Sequence, residues 1–259
     1  MLTGFKRWLS TSTSTGTAGW EAVAAWAEAG RHSFRGQQGE GFVIDGRTGT
    51  VPWRLEWGPS QRPYFLGGEL RLRAEPGVDT ELQLLLITRG LQEQLEKTIF
   101  EQYVEDVQTR IDNQTPPEMR WLVMLPKLAG NEMAPLREHY AALGNVKPWL
   151  QAWLRGGLQQ ALLARLPADG PAPVDDAPGD AGQPLVMMLG RGRLMLRAAL
   201  DEPEVPALQR HLALFETALR EARRAQEEVP LDGSAPGDSQ AGASRASTHP
   251  PTNPPSKLG

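Results

Sequence analysis

Cysteine is absent from all 259 residues. That excludes a disulfide framework, a thiolate nucleophile, and cysteine-ligated zinc or iron–sulfur centres, while leaving both a reduced cytosol and a disulfide-free periplasm open. Lysine is scarce too, confined to positions 6, 97, 127, 147 and 257, so arginine carries nearly all the positive charge. Together with abundant Ala, Gly and Pro, this points to a GC-rich bacterial genome. No apolar run approaches the ~20 residues that span a bilayer, and the N-terminal MLTGFKRWLSTSTSTGTAG lacks the apolar core of a secretory leader. The expectation is a cytoplasmic protein with no transmembrane segment. A net charge of −4 exerts no global pull on nucleic acid or anionic membrane, so no specific nucleic acid is expected as a partner.

Catalytic vocabulary is equally thin. His32, His139, His211 and His249 stand far apart, so a metal site would need carboxylates drawn in from distant segments. His139 falls on a helix rich in charge, and His211 beside Arg210 is expected to face solvent. There is no G-x-S-x-G elbow, no S-x-x-K pair, no G-x-x-x-x-G-K-[ST] loop and no G-x-G-x-x-G after a strand. Asp175-Asp176 belong to a linker, and Glu105-Asp106 to the solvated side of a helix. These absences predict no catalytic residue, no metal and no cofactor, and lean away from an enzyme.

What the chain does contain is hydrophobic periodicity, with 40% hydrophobic residues and eight Trp. Trp20, Val23, Ala24 and Ala27 predict a short helix that Gly30 stops. Phe34 and Gly41 to Asp45 read as a first strand, with DGRTG at 45–49 turning into the next. Trp53, Leu55 and Trp57 alternate with Arg54 and Glu56; after the GPSQRPYFLGG loop, Leu70 and Leu72 alternate with Arg71 and Arg73. Leu82 to Ile87 is nearly continuous in apolar residues, as suits a strand covered on both faces. These make four early antiparallel strands.

Leu91, Leu95, Ile99, Tyr103, Val107 and Ile111 form the stripe of a long helix. Thr115-Pro-Pro-Glu118 matches a capping box ahead of a short buried helix over MRWLVML, with a strand as runner-up. Further helices are expected over Asn131 to Leu143 and from Pro148 to Leu166. In the latter, Gly156-Gly157 cost about 1 kcal/mol each relative to Ala and mark a kink or a close backbone approach. Pro167 to Pro184 is an acidic, Pro- and Gly-rich linker. Leu185 onward reads as a hairpin turning at Gly190-Arg191-Gly192, with Leu194 and Leu196 alternating against Arg193 and Arg197. A last helix from Pro206 buries Leu208, Leu212, Phe215, Leu219 and Ala222, and from Glu227 the composition is that of a disordered tail.

The fold class is therefore mixed α+β. A mainly antiparallel sheet of about six strands, four early and two late, packs against several helices within one domain over 18–226. Flexible segments flank it at 1–17 and 227–259, and the late hairpin extends the early sheet. The order α–βββ–α–ββ–α resembles, in element order alone, that of small secretion-chaperone folds. One pattern invites a function. If the strands at 53–57, 70–74 and 193–197 share a sheet, Arg54, Arg71, Arg73, Arg193 and Arg197 all point away from the Trp/Leu face. Guanidinium forks suit carboxylates and phosphates, so that face would hold an acidic protein or an anionic ligand. The same pattern also serves simply to keep an exposed sheet face soluble, with Glu56, Glu69 and Glu75 near enough in sequence to pair across strands. Arg62 and Tyr64, on the loop at 58–68, are the next candidates. The function expected is a non-enzymatic interaction or adaptor/chaperone-like domain. The alternatives are an enzyme built from Arg62, Tyr64 and a helix carboxylate, and a peripheral membrane contact through residues 5–9.

Overall fold

Strands that alternate and strands that are apolar throughout end up in one sheet, and that difference sets what each face meets. The computed structural model describes residues 19–37, 41–104, 115–166 and 183–231. In chain order these form α1 (Glu21–Ala29), β1 (Ser33–Gln37), β2 (Gly41–Thr48), β3 (Val51–Pro59), β4 (Gly68–Ala74), β5 (Gln83–Thr88), α2 (Arg89–Val104) and α3 (Pro117–Met124). There follow a 3-10 turn (Leu136–Glu138), β6 (Tyr140–Gly144), α4 (Lys147–Leu154), α5 (Gly157–Leu163), β7 (Leu185–Gly190), β8 (Arg193–Ala199) and α6 (Val205–Glu228). The strands form one antiparallel sheet in the order β1-β2-β3-β4-β8-β7-β5-β6.

On one face, Ile44, Leu55, Leu72, Leu196, Met187, Leu86 and Ala142 run side by side across the strands from β2 to β6 and close a core under α1, α4, α5 and α6. The expected stripe of α6 (Leu208, Leu212, Phe215, Leu219 and Ala222) is buried throughout. Each such Leu or Phe contributes roughly 1.5–3 kcal/mol by leaving water. The opposite face is divided. Over β7, β5 and β6 it is apolar: Val186, Met188, Leu85, Ile87, Ala141 and Leu143 pack with Leu91 and Leu95 of α2 and Met119 and Leu122 of α3. Over β3, β4 and β8 the same face carries arginines and glutamates. Residues 82–87 and 185–189 read as continuous apolar runs because both of their faces are covered; residues 53–57, 70–74 and 193–197 alternate because only one is.

The α+β class holds, and the sheet has eight strands rather than six. The stretch at 34–45 is two strands joined through residues 38–40, and β2 continues to Thr48, leaving Gly49-Thr50 as the turn. The helix expected over Asn131 to Leu143 is a turn region with one 3-10 turn followed by β6, buried at every position. Pro135 has no N–H to give a helix there, and Tyr140–Gly144 gains a full ladder with β5 instead. The helix expected from Pro148 to Leu166 is broken into α4 and α5 at Gly156, whose φ is +75°. The final helix continues to Glu228, past the expected boundary, and Val229 and Leu231 still pack on the core. The late hairpin joins the early strands in one sheet, with β8 and β7 seated between β4 and β5. With β6 interposed, the element order also departs from the chaperone-like pattern. His211 is buried rather than solvent-facing, and His139 follows the 3-10 turn rather than lying on a helix. The 107–111 end of the long helical stripe, Glu105-Asp106, residues 5–9 and 167–182 lie outside the described residues.

Candidate functional site

The strand register brings all five sequence-predicted sheet arginines onto one face. Arg54 is directly opposite Arg73, and Arg71 directly opposite Arg197. Like charges opposed across a ladder destabilise it unless anions intervene, and carboxylates do. Asp45 receives Arg54 Nε at 2.7 Å and also pairs with Arg35. Glu56 pairs with Arg73 at 3.1 Å and Arg71 at 3.6 Å, and Arg193 reaches Glu75 at 3.1 Å. Glu69, with no solvent exposure, accepts from Arg197, from Arg71 Nη1 at 3.4 Å and from the Gln61 N–H at 2.7 Å. Six arginines thus share four carboxylates and leave a local excess of positive charge. The hydrogen bond that Arg54 donates to Asp45, with the charge of that carboxylate, holds the Arg54 guanidinium above its ordinary pKa.

Exposure sorts these arginines into two kinds. The side chains of Arg71 and Arg197 are 14% and 8% exposed, and both are committed to Glu69. Those of Arg54, Arg73 and Arg193 are 38%, 44% and 51% exposed. Ion pairs this open contribute roughly 0–1 kcal/mol, so the internal partners hold these three guanidiniums only weakly. These three line a groove of about 500 Å³ together with Asp45, Pro52 and Glu75. The groove lies on the charged half of the divided face.

Arg62 and Tyr64 are not the exposed binding residues the loop suggested. Tyr64 is buried, Arg62 is mostly so, and both donate to the same oxygen of Glu118, Oε1, whose own side chain is fully enclosed. Glu118 is the residue that sequence reasoning missed. It was assigned to a capping box, yet the helix N-cap is Pro116 with no side-chain cap bond, and Glu118 turns inward from the first turn of α3. Burial raises the Tyr64 pKa above its ordinary value, and the charge and hydrogen bond of Glu118 raise it further; Arg62 and Arg197 pull the other way. Burial alone would lower the Arg62 pKa, but the Glu118 hydrogen bond and charge outweigh it and the net direction is upward. Tyr64 is therefore a fixed hydrogen-bond donor rather than a base, and Arg62 a fixed cation. The three residues fasten the 60–67 loop to α3, next to the Glu69–Arg197 pair.

No helix among the described residues is long and apolar enough to cross a membrane. No family model and no curated protein matches the chain. Among solved structures, the mycobacterial trehalose monomycolate transport factor A is similar to it at 9% identity with a TM-score of 0.44, over 81% of this chain and 94% of that one. A likeness of that degree assigns neither a family nor a function.

Proposed function

We propose that the protein is a non-enzymatic binding module that grips an acidic partner protein through the open, arginine-bearing half of its sheet. The observation that carries this reading is the groove at Arg54, Arg73 and Arg193, where three part-exposed guanidiniums, each held by an open surface ion pair, converge. Arg71 and Arg197 act in support: on the same face, beside the groove, they tie β4 to β8 through Glu69. The test is affinity capture with wild type and an Arg73→Glu/Arg193→Glu variant, each checked by circular dichroism. These two residues are chosen because they are exposed, so charge reversal leaves the Glu69 pairs in place. Acidic proteins retained by wild type at low salt, shed at high salt and lost in the variant are the expected result. Equal retention by both proteins removes the reading.

A second reading, an enzyme acting at the 58–68 loop, is favoured by one observation, the convergence of Arg62, Tyr64 and a helix carboxylate, Glu118. That carboxylate is enclosed, so this chemistry requires the loop to open. Hydrogen exchange decides it. Amides at 61–67 that exchange only through global unfolding sink the enzyme reading; local opening at low energy keeps it.

A further inference from the structure

The two edges of the sheet are finished differently. At β6 the outer edge is closed: Lys127 bridges to Leu143, the Leu128 N–H donates to the Ala142 carbonyl at 2.9 Å, and the Gly144 N–H donates to Pro126 at 3.0 Å. At β1 no backbone group among the described residues bonds the outer edge, and Ser33, Arg35 and Gln37 are exposed. Alternate residues of an antiparallel edge strand aim N–H and C=O away from the sheet. Such an edge invites an added strand unless proline, charge, short length or a bulge guards it; Ser33–Gln37 (SFRGQ) is short but has no proline, lysine or bulge, and its one charge, Arg35, repels basic strands while admitting acidic ones.

What lies above and below that edge specifies the occupant. On the charged face, β1 presents Arg35, whose side chain is 58% exposed and whose partner Asp45 is shared with Arg54. On the core face, Phe34 is half-buried with its ring 5.7 Å from Phe42, and Trp20 is half-buried 5.5 Å from the same ring. Among the described residues the first core leaves both rings partly uncovered here. A strand laid beside β1 sets every second side chain near Arg35 and the others against Phe34. We propose that β1 receives an extended segment of the acidic partner in which carboxylates and apolar residues alternate, joined by main-chain hydrogen bonds. This rests on the arginine-face reading and continues it, since the carboxylates of such a strand enter the same field as the groove.

The chain's own segments suit the place poorly. Residues 1–18 contain no Asp or Glu, 167–182 is broken every few residues by prolines that cannot donate to a ladder, and 237–249, the proline-free part of the last segment, has no apolar side chain larger than Ala to set against Phe34. Residues 105–114 join α2 to α3, whose sheet contacts are with the strands at the opposite edge. A second copy pairing β1 to β1 about a two-fold axis would set Arg35, the middle residue, against itself.

The test uses full-length protein and three short peptides: alternating Glu–Val, its Lys–Val counterpart, and a block peptide with the Glu and Val residues sorted apart. Binding is read by fluorescence anisotropy, and amide exchange of β1 by NMR. The alternating acidic peptide is expected to bind tightest, to slow exchange at alternate residues of Ser33–Gln37, and to weaken about tenfold in Arg35→Glu. Binding that is lost in Arg73→Glu/Arg193→Glu but leaves β1 exchange unchanged overturns the added strand and leaves the arginine face standing. β1 protection that is indifferent to Arg73 and Arg193 keeps the strand and overturns the face. No preference for the alternating acidic peptide, or no binding by any peptide at millimolar concentration, overturns the strand. So does β1 protection already present in the free protein; light scattering then tells a second copy from the chain's own segments.

Discussion

Tyr64 shows what a single side chain contributes to this fold. Its ring packs in the second core beside Phe65, and its hydroxyl donates to a buried carboxylate. A hydrogen bond to a charged acceptor contributes roughly 1.5–3 kcal/mol, so Tyr64→Phe should lower stability by about that much in chemical denaturation at neutral pH. The sign of the pH dependence follows from the raised pKa. In the unfolded chain the phenol loses its proton near its ordinary value of 10.0, while the folded protein holds it to higher pH. The contribution is therefore intact below pH 10 and falls away as pH rises above it. Melting curves between neutral and strongly alkaline pH are expected to fall more steeply for wild type than for Tyr64→Phe; parallel curves would show that Tyr64 does not drive the decline. Arg62 and Tyr64 were legible as candidates because a loop carried them, but their partner was not. Glu118 sat in a string that satisfied a capping rule, and only the packing of α3 against the loop showed that its carboxylate serves the interior.

Among the elements, the break between α4 and α5 was foreshadowed and the strand β6 was not. Two adjacent glycines inside an apolar helical stripe are costly enough to announce a discontinuity, and the backbone uses that freedom at Gly156, where φ is +75°. Gly156→Ala forces an L side chain into the left-handed region and is expected to cost about 1–2 kcal/mol, measured as a lower denaturation midpoint with unchanged slope. An unchanged midpoint would mean that the α4–α5 corner re-forms in another conformation. Tyr140–Gly144 gave no comparable signal. Ala141, Ala142 and Leu143 favour a helix by propensity, and the segment becomes a strand because β5 offers it a ladder and both faces close over it. Propensity is a local quantity and was overridden by a pairing more than fifty residues away in the chain.

At the scale of the molecule, strand order is the decisive fact. Strands β4 and β5 follow one another in sequence yet lie apart, because the hairpin of β7 and β8 fills the space between them. A chain ending at residue 182 lacks two interior strands, which join β4 to β5, and the whole of α6, and is expected to lose cooperative unfolding and most of its strand signal by circular dichroism. A truncated chain that still melts cooperatively with a native-like spectrum would refute the interior placement of the hairpin. The same order explains the divided second face. The doubly apolar strands gather at one end under α2 and α3, and the alternating ones at the other, where the arginines stay open to solvent.

By itself the sequence determined the α+β class, the hairpin at 185–199 and the shared orientation of the five sheet arginines. Those follow from the two-residue period of a strand, a local property that any sheet containing the segments must respect. Only the tertiary structure decided which arginines are available. Glu69 and Glu118 draw Arg71, Arg197 and Arg62 inward and leave Arg54, Arg73 and Arg193 around the groove. It also decided that one sheet edge is capped and that, among the described residues, no backbone pairs with the other. Pairing partners and burial depend on contacts between residues distant in the chain, and a period read along one segment carries no record of what will lie across from it.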